Sequence, residues 1–236
     1  MDYIIKGQFK LKRKIDFVNE ESFLNRLKRL SQISYLDTTA LLERESKHCR
    51  NIIYYEDDCG ELICFAMYNF EPLEETETVY FGLTVCVEEY KKYGLAKKLW
   101  LQIAVETKKR EEEIRTSILC WLTTPTPIVF YWFNKFLISP QPYIDGSYTQ
   151  KGKELVEKLI RAKYPKISPN GTNPFKIEGV ASNTIYSLSE RLRISKASIE
   201  LGIKAFDTYK VDETKGDRFL ILGYIPQRRN YELSEW

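Results

Sequence analysis

The stretch Thr78 to Ala96, TVYFGLTVCVEEYKKYGLA, holds the residues most able to do chemistry in this chain. An apolar, β-like run passes through charged residues into a small-residue turn that opens an amphipathic helix. The first N–H groups of a helix have no intrahelical acceptor, and the helix dipole favours negative charge beside them. Gly94 and Ala96 keep side-chain bulk away from main chain that a phosphate would approach. Lys91, Lys92, Lys97 and Lys98 would give such a turn a basic mouth suited to a phosphorylated ligand.

Lys91-Lys92-Tyr93-Gly94-Leu95-Ala96 resembles the acyl-CoA pyrophosphate motif of the GNAT superfamily of N-acetyltransferases, (Arg/Gln)-x-x-Gly-x-(Gly/Ala), with Lys91 at the Arg/Gln position. Downstream, Thr116 to Thr123 reads as a buried strand and Pro125 to Ile138 as a short aromatic helix. The helix after this strand in the family often follows Asn-x-x-Ala-x-x-Leu-Tyr-x-x-x-Gly-Phe. Thr124 falls at its Asn, Pro127 at its Ala, Phe130-Tyr131 at Leu-Tyr and Lys135-Phe136 at Gly-Phe. Tyr131 and Phe136 match, Phe130 is conservative, and Thr124, Pro127 and Lys135 depart from the pattern. The spacing from Gly94 to Tyr131 suits one long helix, one strand and a return helix.

The resemblance implies an acetyl-CoA-dependent N-acetyltransferase that moves an acetyl group to a primary amine by direct attack in a ternary complex, without a metal. It implies that main-chain groups of Lys91, Lys92, Tyr93, Gly94, Leu95 and Ala96 hold the diphosphate. Thr84, Val85 and Cys86 would offer main chain to the pantetheine and thioester, and Thr124 would also border the cofactor. Tyr131 is the implied general acid for the departing thiolate; an unperturbed tyrosine has a pKa of about 10 and holds its proton near neutrality. Tyr80 stands where some relatives place a glutamate base. Glu75 and Glu77 lie just upstream, and the base stays unassigned. Two other functions fit parts of the sequence: a non-catalytic acyl-CoA-binding or regulatory domain of the same fold, and a nucleic-acid-associated protein using helices within 181–210.

The 236 residues suit one large domain or a core with an extension, and 43% apolar with 14% aromatic residues is ample for a packed core. Thirty-six basic and 33 acidic residues leave a formal charge of +3, which argues against a general nucleic-acid binder. Five scattered cysteines (Cys49, Cys59, Cys64, Cys86, Cys120) and the lone His48 show no metal-ligand spacing and read as reduced thiols. The N-terminus MDYIIKGQFKLKRKID is too interrupted by charge for a signal-peptide core, and no run reaches the roughly 20 apolar residues of a membrane span. A cytoplasmic protein is expected, with the amine acceptor, small molecule or protein, and the oligomeric state left open.

The periodicities predict helices over 22–30, 38–47, 95–110 and 149–164, a strand–turn–strand over 51–68, and strands over 78–87 and 219–224. Residues 2–16 read as a first strand or an unpaired arm. The expected fold is α/β: a GNAT-like mixed central sheet flanked by helices, with a C-terminal insertion or extension. Residues 1–138 are expected to form the core, 139–218 an insertion packed on it, and 219–236 a closing strand and tail. Pro140-Gln141-Pro142 and 168–174 read as breakers. Ser187 to Leu201 faintly resembles a helix-turn-helix, but Arg193 occupies the usual glycine position of the turn, so a packing helix is the reading adopted.

Overall fold

The computed structural model describes residues 9–169, 171–182, 184–203 and 205–227. The elements are β1 (Lys10–Ile15), α1 (Glu21–Ser31), α2 (Thr38–His48), β2 (Asn51–Glu56), β3 (Leu62–Leu73), β4 (Thr76–Cys86), α3 (Glu88–Lys91), α4 (Leu95–Ile114), β5 (Leu119–Thr124) and α5 (Pro127–Phe136). They continue as β6 (Ile138–Gln141), α6 (Gln150–Lys163), β7 (Lys176–Ile177), α7 (Leu188–Leu201), α8 (Ala205–Tyr209) and β8 (Arg218–Tyr224). The mixed α/β fold expected from the sequence is observed. One open sheet runs β1-β2-β3-β4-β5-β8-β6, with β7 also pairing with β8. The β4–β5 pair is parallel and the other pairs are antiparallel.

Local chemistry accounts for the elements that matter to function. Asp37 caps α2 by accepting from the Ala40 N–H at 2.9 Å. Leu41 and Glu45 lie one turn apart, so the face that buries Leu41 also buries the Glu45 carboxylate. The β2–β3 hairpin turns where Asp57 Oδ1 accepts from the N–H groups of Cys59 and Glu61. Gly94, at φ 65°, turns the chain in the left-handed region to start α4, which buries Leu95, Leu99 and Ile103 as expected. Thr126 caps α5 by accepting from Val129 N–H, and Pro127 takes the first helical position, where a missing N–H costs nothing.

Several expectations shift. Residues 10–15 form a strand against β2, while the rest of the predicted 2–16 segment up to residue 8 lies outside the described residues. The closing strand is β8, and the tail from 228 onward also lies outside them. Pro140 and Gln141, read as breakers, sit in β6. An edge strand accepts proline because the missing N–H belongs to the unpaired side. Residues 188–201 make one continuous helix with Arg193 in its interior, so no turn exists there for a helix-turn-helix. Among the described residues no helix is long and apolar enough to cross a membrane.

The sheet core is aromatic, with Trp121, Phe65, Phe130, Phe133 and Phe219 fully buried. Trp121 stacks on Tyr80 with ring centroids 4.3 Å apart, across the last paired position of β4 and β5. Trp121→Ala is expected to lower unfolding free energy by about 3–5 kcal/mol, read as a reduced midpoint in urea denaturation. An unchanged midpoint would mean that this rung does not hold the sheet together.

Candidate active site

The parallel pairing of β4 with β5 covers three positions, Thr78 with Leu119, Val79 with Cys120 and Tyr80 with Trp121. Beyond Tyr80, β4 continues to Cys86 on β3 alone, while β5 leaves toward β8. A bulge helps the departure: Gly82 and Leu83 of β4 stand opposite the single residue Met67 of β3. Main-chain groups of β4 that face β5 past this point have no ladder partner. A cavity of about 310 Å³ fills the gap and reaches the start of α4.

At that start, the N–H groups of Leu95, Ala96 and Lys97 have no protein acceptor among the described residues, and Lys98 N–H is the first to bond back, to Gly94 O at 3.1 Å. Gly94, Ala96 and Lys97 line the cavity. The cradle therefore differs from the expected Lys91–Ala96. Tyr93 N–H donates to Tyr90 O and Gly94 N–H to Lys91 O, both at 3.1 Å, because the chain completes a turn before α4 begins. The open amides at the start of α4 are those of Leu95, Ala96 and Lys97, of which Leu95 and Ala96 belong to the expected cradle. A Cβ on Gly94 would meet nothing within 4 Å, so this glycine is required by its positive φ rather than by crowding.

The other expected site residues divide. Thr84, Val85, Cys86, Lys91 and Thr124 line the cavity, whereas Lys92, Tyr93 and Leu95 do not. Lys92 lies over the exposed Tyr93 ring, and Leu95 is buried in the core. Thr84 Oγ1 accepts from Trp100 Nε1–H at 2.9 Å. Thr124 Oγ1 accepts from Thr126 N–H at 3.0 Å, so this hydroxyl serves the β5–α5 turn. Lys91 pairs with Glu88 at 2.6 Å and Glu190 at 3.0 Å, which ties α7 across the mouth. Lys97 has no carboxylate partner among the described residues; its ammonium lies 3.1 Å from the Trp132 ring centroid, and burial lowers its pKa.

Tyr131, the expected general acid, does not reach the cavity. The wall contributed by α5 is Ile128, Val129, Trp132 and Phe133, and Tyr131 lies on another side of the helix beside Trp132 and Lys135. Glu77 is held at the surface by Arg110, at 3.0 Å, and Glu75 is exposed.

Glu45 stands in the wall instead. Its Oε1 accepts from Arg44 Nε and Nη2, at 3.1 and 2.6 Å. Its Oε2 is loosely held, 3.3 Å from Leu83 N and 3.4 Å from the Tyr80 hydroxyl. Burial raises the Tyr80 pKa well above the usual phenol value, helped by the Glu45 charge, so this hydroxyl stays protonated. Leu83 of the bulge thus meets one oxygen of a carboxylate that lines the gap. The sequence carried a faint sign of it: a carboxylate on the apolar face of a predicted helix.

A mixed sheet that parts beside a helix N-terminus is the arrangement implied by the sequence resemblance. In outline the fold resembles the GNAT-like fold expected from the sequence. No family model matches the chain, and no curated protein does. Among solved structures, the chain is similar to the GNAT family N-acetyltransferase YhbS from Escherichia coli in complex with CoA, at 15% identity over 56% of this chain and 71% of that one, with a TM-score of 0.40. It is similar to the ribosomal-protein-S18-alanine N-acetyltransferase from Escherichia coli at 10% identity, over 94% and 97% of the two chains, with a TM-score of 0.42. A GNAT family acetyltransferase from Brucella melitensis in complex with acetyl-CoA gives 12% identity, 48% and 74% coverage and a TM-score of 0.33. At these TM-scores the likenesses carry no argument about reaction or substrate.

Glu190 gives a pH signature. Burial works to raise its pKa, but Arg193 and Lys91 outweigh burial and hold it below the usual carboxylate value. A depressed carboxyl stabilises fully above its unfolded value of about 4.5 and loses that contribution as pH falls through the lower folded value. Glu190→Gln is therefore expected to lower the melting temperature at pH 7 and to flatten its decline between roughly pH 5 and 3. An unaltered acid limb would show that this three-charge contact does not hold α7.

Proposed function

We propose that the protein is an acyl-CoA-dependent N-acyltransferase, with acetyl-CoA as donor and an amine as acceptor. One observation carries this reading: a single cavity joins unpaired N–H groups at a helix start, unpaired main chain of a parted strand, and a buried carboxylate. The α4 start suits a diphosphate through the Ala96 and Lys97 N–H groups and the uncompensated Lys97 charge. The β4 segment 82–86 suits an acyl-pantetheine arm, which needs amide partners and an apolar wall, here Trp100 and Trp132. The likeness in outline to solved GNAT acetyltransferases agrees with the reading without adding weight to it.

In this reading Glu45 Oε2 takes the proton from the incoming ammonium, and Arg44 and Tyr80 hold the carboxylate in place. The freed amine attacks the thioester carbonyl carbon while β4 main chain polarises the carbonyl oxygen. The C–N bond forms and the C–S bond breaks; the nitrogen releases its second proton to solvent as the amide forms, and the thiolate takes a proton from solvent. Nothing in this sequence calls on Tyr131.

Calorimetry with acetyl-CoA and thiol release with an amine panel test the proposal together. Micromolar binding with amine-dependent thiol release is expected; binding without release would make the chain a silent acyl-CoA binder, and no binding would overturn the reading. Glu45→Gln should lower kcat by roughly 10²–10⁴-fold with acetyl-CoA affinity retained, and Tyr131→Phe should leave kcat unchanged. Ala96→Glu, which sets a carboxylate at the open amides, should weaken acetyl-CoA binding at least about tenfold.

A further inference from the structure

The end of the cavity beside Glu45 holds a guanidinium with no ionic partner among the described residues. Arg218 opens β8, is 3% exposed, and lines the cavity together with Arg44, Glu45, Tyr35 and Tyr186. Its bonds go to uncharged oxygens: Nη1–H donates to Asp217 O at 2.8 Å, and Nη2–H to Thr184 O and Oγ1 at 2.9 and 3.0 Å. Among the described residues no carboxylate lies within ion-pair distance of it, and the Asp217 carboxylate is taken by Lys176 at 2.9 Å. Glu213 acts on Arg218 only from farther off, and is itself engaged by Arg191 at 3.1 Å and by Tyr186 N–H at 2.7 Å. A buried charge without a counter-charge is strongly destabilising, so one kept facing a cavity points to a ligand that meets it.

Its neighbour sets the geometry. Arg44 Nη1–H donates to Thr184 Oγ1 at 2.6 Å, the same hydroxyl that receives Arg218, and Arg44 Nη2–H donates to Glu45 at 2.6 Å. Arg218 and Glu45 are therefore linked through one threonine and one arginine along a single cavity wall. Glu45 neutralises Arg44, which leaves one uncompensated positive charge at this end. Tyr35 and Tyr186, stacked with ring centroids 4.6 Å apart, close the same end.

We propose that the acceptor is a small amine that carries a carboxylate, with Arg218 binding the carboxylate while Glu45 receives the amine. This inference rests on the acyltransferase reading above and specifies its acceptor. A monoanion matches the single uncompensated charge, whereas a phosphate dianion would bring one negative charge too many. Arginine and carboxylate pair through charge-assisted hydrogen bonds, and the guanidinium fork gives that pairing direction. The amine and carboxylate ends of one short molecule would then meet opposite charges, which fixes its orientation toward the thioester.

The test uses the full chain with saturating acetyl-CoA. Thiol release is measured with glycine, β-alanine and 4-aminobutyrate, and with methylamine, ethylamine and propylamine, which replace each carboxylate by hydrogen. O-phosphoethanolamine serves as the phosphate-bearing control. At least one amino carboxylate is expected to exceed its matched amine in kcat/KM by about 10–100-fold, the range of a charge-assisted bond. Arg218→Met should bring that ratio to near one with the acetyl-CoA dissociation constant kept, and Arg218→Lys should restore part of it. If Arg218→Met does not fold, the wild-type ratio and calorimetric binding of propanoate to the CoA-loaded protein decide. Equal use of matched amines, no propanoate binding, or a preference for the phosphate amine overturns the inference. Loss of acetyl-CoA binding by the wild type would instead overturn the acyltransferase reading.

Discussion

The parting of β4 from β5 is the constraint on which the rest of the site depends. Three paired positions hold the strands together, and the Tyr80–Trp121 stack closes the last of them. Past it, β4 bulges at Gly82–Leu83 and stays with β3, while β5 follows β8. Unpaired main chain inside a protein is costly unless something meets it, and a ladder opened on one side is therefore an offer of hydrogen bonds to a ligand. The start of α4 makes a second offer into the same space. Neither would be a site alone; together they match a molecule with amides at one place and phosphates at another.

The charges lining this space follow the same division. Among the described residues, five cationic and two acidic residues line the cavity. Near α4, Lys91 and Arg193 share Glu190, and Lys97 is left over an indole. At the far end Arg44 and Glu45 neutralise one another, and among the described residues Arg218 has polar but no ionic partners. An anionic donor and an anionic acceptor would each meet one unmatched cation. Burial makes this arrangement selective, because an unpaired charge in a low-dielectric wall discriminates strongly between ligands that match it and those that do not.

Much of the fold was legible in the chain. The α1 face of Phe23, Leu27 and Leu30, the Asp57–Gly60 hairpin and the α4 repeat of Leu95, Leu99 and Ile103 are local patterns, and the structure keeps them. Less was legible in the candidate site. Tyr131 and Trp132 are adjacent aromatic residues on one helix, and nothing in their order says which points at the gap; a step of about 100° along the helix decides it. The amides of Tyr93 and Gly94 were expected to be open, but a turn ahead of α4 engages them, a closure set by dihedral angles that residue types leave undetermined.

By itself the sequence determined a mixed α/β chain and a strand–turn–helix able to meet an anion, because periodicity and small residues act over a few neighbours. Tertiary structure alone decided that Glu45, Tyr80 and Arg218, from three separate elements, share one wall. Such a meeting depends on where β8 returns beside β5 and how α2 lies on the sheet. Those placements come from the burial of whole faces, a sum over distant parts of the chain that no short stretch of residues encodes.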